Sequence, residues 1–152
     1  LGFKADALQK NIGGDVKKAA HKTFDMLNGK YKKEKAKFAL VYSSENTVRV
    51  TGKGKGGRNQ EYVALLINKI KDLKDCAIAS IDSDGVDFIE GVGGAIADNK
   101  TYSRCKKLGL KIGGFLKDNN TFELHRRLGN LIVMKPTNTN IGDLNVYVQS
   151  RQ

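Results

Sequence analysis

Glycines, cations and amide side chains are concentrated in one short stretch of this chain. Residues 51–61, TGKGKGGRNQE, carry four glycines and three cations. Glycine has no Cβ, so such a run permits positive φ and lets backbone N–H groups approach a ligand closely. A helix that begins near Arg58 or Asn59 would add unpaired N–H groups and the positive end of its dipole. The stretch predicts an anion-binding turn, and a flexible strand-to-helix connection is the alternative.

Arg58 is the residue in this stretch best suited to chemistry. A guanidinium held at a helix start can bind a phosphate or carboxylate through two parallel hydrogen bonds, which lysine cannot reproduce. Asn59, Gln60 and Glu61 follow it and are also polar. A surface helix start needs only one capping residue, so this excess of polar side chains favours a site.

Two known glycine motifs fit the stretch only in part. A dinucleotide fold would need an acidic residue at the end of the next strand, where Asp82 lies, and this leaves a nucleotide-dependent reductase as a third hypothesis. Against it, Arg58 and Asn59 stand where close packing of helix on sheet needs small residues. A Walker A loop is excluded because no lysine followed by serine or threonine comes after Gly57.

Carboxylates cluster around an Asp-Gly pair at Asp84. Asp82 and Asp87 flank it, and Mg²⁺ beside a nucleotide usually takes one or two carboxylates plus phosphate oxygens. Asp-Gly is also a common turn pair, so a plain turn is the alternative. The two histidines have no partner at an interpretable spacing, and His125 is predicted to lie on the surface.

A polar loop, PTNTN at residues 136–140, contains the only proline of the chain. Loops of this kind are either solvated connections or ligand sites, and both interpretations stay open here.

The apolar periodicity predicts the elements that must position these residues. A helix follows Asp15 as N-cap, a second helix follows the glycine run, and the short connection at residues 43–46 predicts an antiparallel strand pair. The expected fold class is α/β, a mixed β-sheet packed with helices in a single domain of residues 1–152. The predicted strands are 37–43, 46–51, 76–81, 131–134 and 144–148; the predicted helices are 16–27, 62–70, 99–108 and 120–128; residues 82–94 are predicted as a loop.

The composition favours anionic partners. With 27 basic and 16 acidic residues the chain has a formal net charge of +11. A nucleic-acid or polyanion-binding module using Lys53, Lys55, Arg58 and Tyr62 is therefore the alternative function. Much of the charge, however, lies on lysines spread along predicted helix faces, which indicates solvated surfaces and makes nucleic acid the less favoured partner.

Cysteine usage and hydropathy suggest a cytoplasmic protein without a membrane partner. Cys76 and Cys105 form no C-x-x-C pair, so neither a zinc site nor a disulfide framework is indicated. No apolar stretch approaches the roughly 18 residues that span a bilayer. The chain begins with Leu1, and we expect it to be a piece of a longer sequence.

Three stretches together resemble the MOFRL family, the C-terminal domain of two-domain glycerate 2-kinases, some of which are labelled hydroxypyruvate reductases. They are residues 47–61, residues 80–87 with Gly94 and Ala95, and Asp118-Asn119 with residues 136–140 and Asp143. Residues 1–3 and 14–20 also look like the family's entry segment, so the resemblance covers nearly the whole chain. The first stretch is the specific one.

The resemblance implies transfer of the γ-phosphoryl group of ATP to glycerate, with Mg²⁺, to give 2-phosphoglycerate and ADP. The active site would lie in a cleft between this domain and a larger N-terminal domain, which is absent from this chain and would be its partner; a homodimer is compatible with this. The isolated chain is expected to be inactive. By position Arg58 matches the cleft-facing arginine and is the implied catalytic residue. Thr137, Thr139 and Asn140 match the family's polar loop and could orient substrate, and Asp84 matches its Asp-Gly acid. Together with the glycine run and the acidic cluster, the predicted substrate-binding residues are Gly56, Gly57, Asn59, Gln60, Glu61, Thr137, Thr139 and Asn140, and the predicted metal ligands are Asp84 and Asp87.

The chain departs from the family pattern in three places. Ser43-Ser44-Glu45 replaces a Gly-Gly-Glu, and residues 88–93 replace a run of glycine, proline, threonine, aspartate and small residues. Asp82 stands where the pattern has glycine. Substrate choice and the role of the acidic loop are therefore less constrained by the resemblance than the fold is.

Overall fold

A computed structural model describes residues 2–9, 11–31 and 37–150. The strands are β1 (Lys4–Ala7), β2 (Gly14–Asp15), β3 (Phe38–Ser44), β4 (Asn46–Thr47), β5 (Cys76–Asp82), β6 (Val92–Asp98), β7 (Leu131–Val133) and β8 (Asp143–Gln149). The helices are α1 (Val16–Met26), α2 (Arg58–Ile70), α3 (Thr101–Lys107), α4 (Ile112–Lys117) and α5 (Thr121–Leu128), and a π-helical turn (Leu27–Tyr31) follows α1.

Six of the strands form one mixed sheet in the order β1-β3-β8-β5-β6-β7. Only β1 and β3 run parallel; the other neighbours are antiparallel. The last strand of the chain, β8, therefore lies in the middle of the sheet between β3 and β5. The predicted α/β class, with a mixed sheet packed with helices, is confirmed.

Helix α2 packs its apolar side on the centre of this sheet and on α1. Leu66, Ile67 and Ile70 are fully buried there. Tyr62 is fully buried as well, and its hydroxyl donates to Thr23 Oγ1 (2.6 Å) and lies 2.9 Å from the Tyr42 hydroxyl. Burial raises the pKa of Tyr62 to about 12, so this contact between two helices and a strand is uncharged at neutral pH.

The start of α1 agrees with the sequence prediction. Asp15 is its N-cap and accepts a hydrogen bond from the backbone N–H of Lys18 at 3.0 Å. Both cysteines are buried and free. None of the described helices combines the length and apolar character needed to cross a membrane.

The predicted antiparallel pairing of residues 37–43 with 46–51 is wrong. Strand β4 spans only Asn46–Thr47 and pairs in parallel with β2, outside the main sheet. Strand β3 has β1 and β8 as neighbours instead. The alternation of Val48 and Val50 with polar residues suggested a strand. Val50 is 73% exposed, so it does not pack against the core as that pattern predicts.

The predicted loop at 82–94 is too long, because β6 begins at Val92. The start of β6 contains Gly93 and Gly94. Glycine is unfavourable in strands, so residue propensities did not indicate a strand there. At Gly94 the pairing with β7 shifts register, φ is +157°, and a Cβ would collide with the carbonyl oxygen of Ser80. Glycine is required there by close approach of β5 and β6. Strand β1 and helix α4 were also not predicted.

Candidate functional site

Arg58 is the first residue of α2, and two aspartates from the central strands hold its side chain. Its Nε donates to both carboxylate oxygens of Asp143, at 2.9 and 3.0 Å, and Nη2 donates to Asp82 Oδ2 at 2.8 Å. The side chain of Asp143 is fully buried, that of Asp82 is 8% exposed, and that of Arg58 is 33% exposed. Asp82 and Asp143 are direct cross-strand partners in the β5–β8 pairing. Like charges in that position repel, so Arg58 neutralises a pair that would otherwise destabilise the sheet.

The electrostatic surroundings keep Arg58 charged. Burial alone would lower the pKa of Arg58, but the hydrogen bond to Asp143 and the charges of Asp143, Asp82 and Asp87 raise it above its ordinary value. For Asp82 the effect of burial dominates, and it raises the pKa even though the Asp84 amide and Arg58 act in the opposite direction.

Asp87 caps helix α2 from a distant loop. Helix α2 has Gly57 as its N-cap residue, which has no side chain to accept a hydrogen bond. The Asp87 carboxylate takes that role: Oδ1 accepts from the backbone N–H of Asn59 (3.1 Å) and Oδ2 from that of Gln60 (2.9 Å). A Cβ on Gly57 would collide with Asp87, so glycine at 57 is what admits the carboxylate. Burial raises the pKa of Asp87, and these N–H groups partly counter it.

Asn59 and Gln60 belong to this support and do not line the cleft. Both are fully buried. Asn59 Nδ2 donates to Asp143 Oδ1 at 2.8 Å, and Gln60 Nε2 donates to the backbone oxygen and to Oδ2 of Asp87, both at 3.0 Å. Their side chains therefore tie Asp143 and Asp87 to the first turn of α2. Direct contact of either residue with a substrate stays a prediction that this geometry does not favour.

The glycine run itself is packed against the start of α5. Its five amides from Thr51 to Lys55 donate to residues 118–120: Asn119 Oδ1 accepts two of them (2.7 and 2.9 Å), and the others reach Asp118 Oδ1, Asp118 O and Asn120 Oδ1. None of the four glycines has a positive φ. A Cβ on Gly54 would collide with Asn120, so the glycines here serve close packing. Within the described residues only the amides of Gly56, Gly57 and Arg58 remain without a partner in this run.

A cleft of about 630 Å³ is lined by these three residues. Among the described residues that line it, Arg58 is the one cation, and the acidic residues Glu61, Asp82, Asp84 and Asp87 line the same cleft. Lys53 and Lys55 do not line it, so the cleft is locally acidic in a strongly basic chain. Its full lining is Asn46, Thr47, Val48, Val50, Gly54, Gly56, Gly57, Arg58, Glu61, Asp82, Asp84, Val86, Asp87, Phe88, Asn119 and Asn140.

The polar loop at residues 136–140 borders this cleft. Asn140 lines it, and Thr139 and Asn140 also line an adjoining cavity of about 350 Å³ together with Asp84. Thr137 lines neither. Its amide donates to the backbone oxygen of Asp84 at 2.9 Å and its hydroxyl donates to the backbone oxygen of Ser83, so it anchors the loop.

The carboxylates of the two predicted metal ligands differ in how many of their oxygens already accept hydrogen bonds. Both oxygens of Asp87 accept hydrogen bonds from α2, so its carboxylate acts as a helix cap. Asp84 Oδ1 accepts from the amide of Val86 at 2.7 Å, and its second oxygen has no partner within the described ranges. Residues 2–9, 11–31 and 37–150 contain no group of three or more histidine, cysteine, aspartate or glutamate side chains arranged to hold a metal ion. Metal binding at Asp84 and Asp87 stays a prediction, and only Asp84 retains a free oxygen for it.

Two other sequence predictions are corrected by burial. Tyr62 cannot stack on a nucleic-acid base, because it is fully buried, and this removes the aromatic part of the polyanion hypothesis. His125 is not on the surface but fully buried on α5. Its Nε2 lies 2.9 Å from the backbone oxygen of Gln60 and its Nδ1 lies 3.0 Å from Asn130 Oδ1. A carbonyl only accepts, so Nε2 carries the proton and Nδ1 accepts; rotating the Asn130 amide supplies the donor from its otherwise unpartnered Nδ2.

His125 should make stability depend on pH. Burial lowers its pKa below that of the unfolded chain, so the unfolded state binds more protons as the pH falls through about 6.5. The free energy of unfolding should therefore decrease between about pH 7.5 and about pH 5, and His125→Gln should flatten that slope. Urea unfolding at a series of pH values measures it. Equal slopes for the native chain and His125→Gln would contradict the prediction.

Comparison with known proteins agrees with this architecture. The MOFRL family model matches residues 38–143. The chain is 32% identical to the glycerate 2-kinase of Pyrococcus horikoshii over 97% of its own length and 34% of the relative's. It is 28% identical to the D-glycerate 2-kinase of Thermotoga maritima, over 94% of this chain and 35% of that one. The crystal structure of the Thermotoga maritima glycerate kinase superimposes with a TM-score of 0.86 at 26% identity, covering 97% of this chain and 36% of that one. The chain thus spans about a third of the length of these relatives, and on the family match it belongs to the MOFRL family.

Proposed function

We propose that this chain is the C-terminal domain of a glycerate 2-kinase and contributes one wall of an active site between two domains. The relatives that support this are named glycerate 2-kinases and are about three times as long as the part that the chain matches. The reaction would be phosphorylation of glycerate by ATP. A new bond would join the γ-phosphorus to the hydroxyl oxygen of glycerate, the bond between that phosphorus and the leaving ADP oxygen would break, and the hydroxyl proton would be released.

The observation that carries the proposal is the state of Arg58. Asp143 fixes one edge of the guanidinium from a fully buried position, while Nη1 has no partner within the described residues and the side chain borders the cleft. The unpartnered amides of Gly56, Gly57 and Arg58 lie at the same helix start. A rigid cation beside free N–H groups matches a phosphoryl or carboxylate oxygen.

A fixed cation beside N–H donors suits phosphoryl transfer, because catalysis of that reaction is mostly positioning and electrostatic stabilisation. In the proposed role Arg58 binds oxygens of the transferring phosphoryl group or the glycerate carboxylate. Asn140, which lines the cleft, and Thr139, beside it, would orient the substrate. Asp143 and Asp87 would contribute indirectly, because they hold Arg58 and the first turn of α2 in place.

The residues present fit a Mg²⁺ ion through one carboxylate. Asp84 lines the cleft with a free oxygen, and Mg²⁺ in nucleotide sites usually takes one or two carboxylates plus substrate phosphates. When bound, such an ion would neutralise charge on the phosphate oxygens.

The charge balance of the cleft also supports a site that needs a second domain. One arginine faces four carboxylates, and the substrates that it would bind are themselves anions. Further positive charge has to come from outside this wall, from the metal ion and from the rest of the enzyme. The 152-residue chain alone is therefore expected to be inactive.

A chimaera tests the proposal. This chain would replace the matching third of the Pyrococcus horikoshii enzyme, and formation of 2-phosphoglycerate from glycerate and ATP would be measured. The chimaera should turn over, and neither part alone should. A folded but inactive chimaera would argue against the proposed function. Turnover by the isolated chain at about 1–100 s⁻¹, the range typical of kinases, would refute the proposal that this chain holds only part of the active site.

A further inference from the structure

We propose that the Asp82 carboxylate holds down the affinity of Arg58 for anions, because an anion that binds the guanidinium lies beside this negative charge. The inference rests on the proposed function in treating Arg58 as the anion-binding group of the cleft. It adds a residue that sets the strength of that binding.

The hydrogen-bonding capacity of the guanidinium is already divided. Asp143 occupies Nε, and Asp82 Oδ2 accepts from Nη2 at 2.8 Å. An oxyanion that binds bidentately at the remaining edge needs Nη1 and Nη2 together. Nη2 carries two N–H groups, so it can donate to such an anion while it still donates to Asp82. The bound anion then lies beside the Asp82 carboxylate, which also lines the cleft.

The two aspartates that hold Arg58 are not equivalent. Asp143 also accepts from Asn59 Nδ2 (2.8 Å) and from the amide of Asn46 (3.4 Å), so its position is fixed even without Arg58. Within the described part of the chain, the Asp82 carboxylate accepts only from the Asp84 amide (3.3 Å) besides Arg58. A substitution of Asp82 therefore disturbs fewer contacts than one of Asp143.

The charge of Asp82 acts in the same direction as its geometry. Its carboxylate is nearly buried and stands at hydrogen-bonding distance from the nitrogen that an anion must reach. A negative charge a few ångströms from a bound anion, in surroundings of intermediate dielectric constant, weakens binding by about tenfold or more. Asp82 and Asp143 also oppose each other across two strands, so removing one of these charges relieves repulsion and should leave the fold intact.

Binding of inorganic phosphate to the 152-residue chain tests the inference. The titration would be done by calorimetry near neutral pH, at low ionic strength and with EDTA present. Asp82→Asn should lower the Kd for phosphate by about tenfold. Asp84→Asn removes the same charge from the same cleft without touching Arg58, and its effect should be less than about threefold. Asp82→Ser is a second version if the asparagine variant fails to fold, as judged by circular dichroism.

The outcomes separate this inference from the proposed function. If Asp82→Asn and Asp84→Asn change the Kd equally, general charge explains the result and the inference is wrong. If Asp82→Asn leaves the Kd unchanged while Arg58→Lys abolishes binding, the inference fails but the anion site stands. If Arg58→Lys binds like the native chain, the role of Arg58 itself is overturned. Failure of both the native chain and Asp82→Asn to bind phosphate also overturns the inference, because the variant is expected to bind.

Discussion

Removal of the Arg58 guanidinium should lower kcat/KM for glycerate by about 100- to 1000-fold in the chimaera. This is the loss, about 2.7 to 4 kcal/mol, that follows when one preorganised donor to a developing charge is deleted. The variant is Arg58→Ala, and the measurement is the rate of 2-phosphoglycerate formation at limiting glycerate. Arg104→Ala is the matched control, because Arg104 pairs with Asp98 on the exposed surface at 3.4 Å and should lose almost nothing.

The same substitution also removes a structural charge, and the two effects can be separated. Without Arg58 the buried carboxylate of Asp143 is uncompensated, which should cost about 3 kcal/mol of unfolding free energy. The double variant Arg58→Ala/Asp143→Asn should recover most of this stability in urea but none of the activity. An Arg58→Ala chimaera with native kcat/KM would exclude Arg58 from the site.

Replacing Asp87 by alanine should destabilise the domain by about 4 kcal/mol. The backbone N–H groups of Asn59 and Gln60 lose their acceptor, and the side-chain amide of each residue loses one of its two acceptors; all of these groups are buried. Each unsatisfied buried donor costs about 1–3 kcal/mol, and these costs are not fully additive. Urea unfolding of the 152-residue chain, followed by circular dichroism, measures the difference.

Asp15 offers a control of the same type. It caps α1 through one hydrogen bond at 3.0 Å but is exposed, so Asp15→Ala should cost about 1 kcal/mol. If Asp87→Ala costs no more than Asp15→Ala, the carboxylate of Asp87 is not the main support of α2. That result would favour the Asp87 carboxylate as a metal ligand instead.

Where the sequence predicted the fold well, the signal was local. Helices α1 and α2 have an apolar side at helical spacing, β5 is a short apolar run, and β8 has alternating valines, so each could be recognised within its own segment. The pairing of β3 failed because its partner β8 lies about a hundred residues further along the chain, and a short connection to residues 46–51 suggested a nearer one. Strand β6 failed because its glycines are explained only by contact with β5.

The same difference between local patterns and distant contacts applies to the candidate site. Arg58 was recognisable from its residue type and its place at a helix start, since both lie within a few positions. Asp87 was predicted to bind a metal because a carboxylate beside Asp-Gly suggests one, and its contact with a helix that begins 28 residues earlier could not be seen in its own segment. Nothing near Asp143 indicated that it holds Arg58 across 85 residues. Side chains that support a site from a distance leave no local pattern.

The central position of β8 has a consequence for how the domain assembles. Asp143, at the start of this last strand, bonds to Arg58, 85 residues earlier, and to Asn46, 97 residues earlier. Contacts at such separations carry a large loop-closure cost and form after local structure. Helix α2 and the β5–β6 hairpin can fold early, but the cleft closes only when β8 inserts between β3 and β5. Arg58 and β8 therefore meet as a late folding step, and a ribosome must release the chain through β8 before Arg58 acquires Asp143 as its partner.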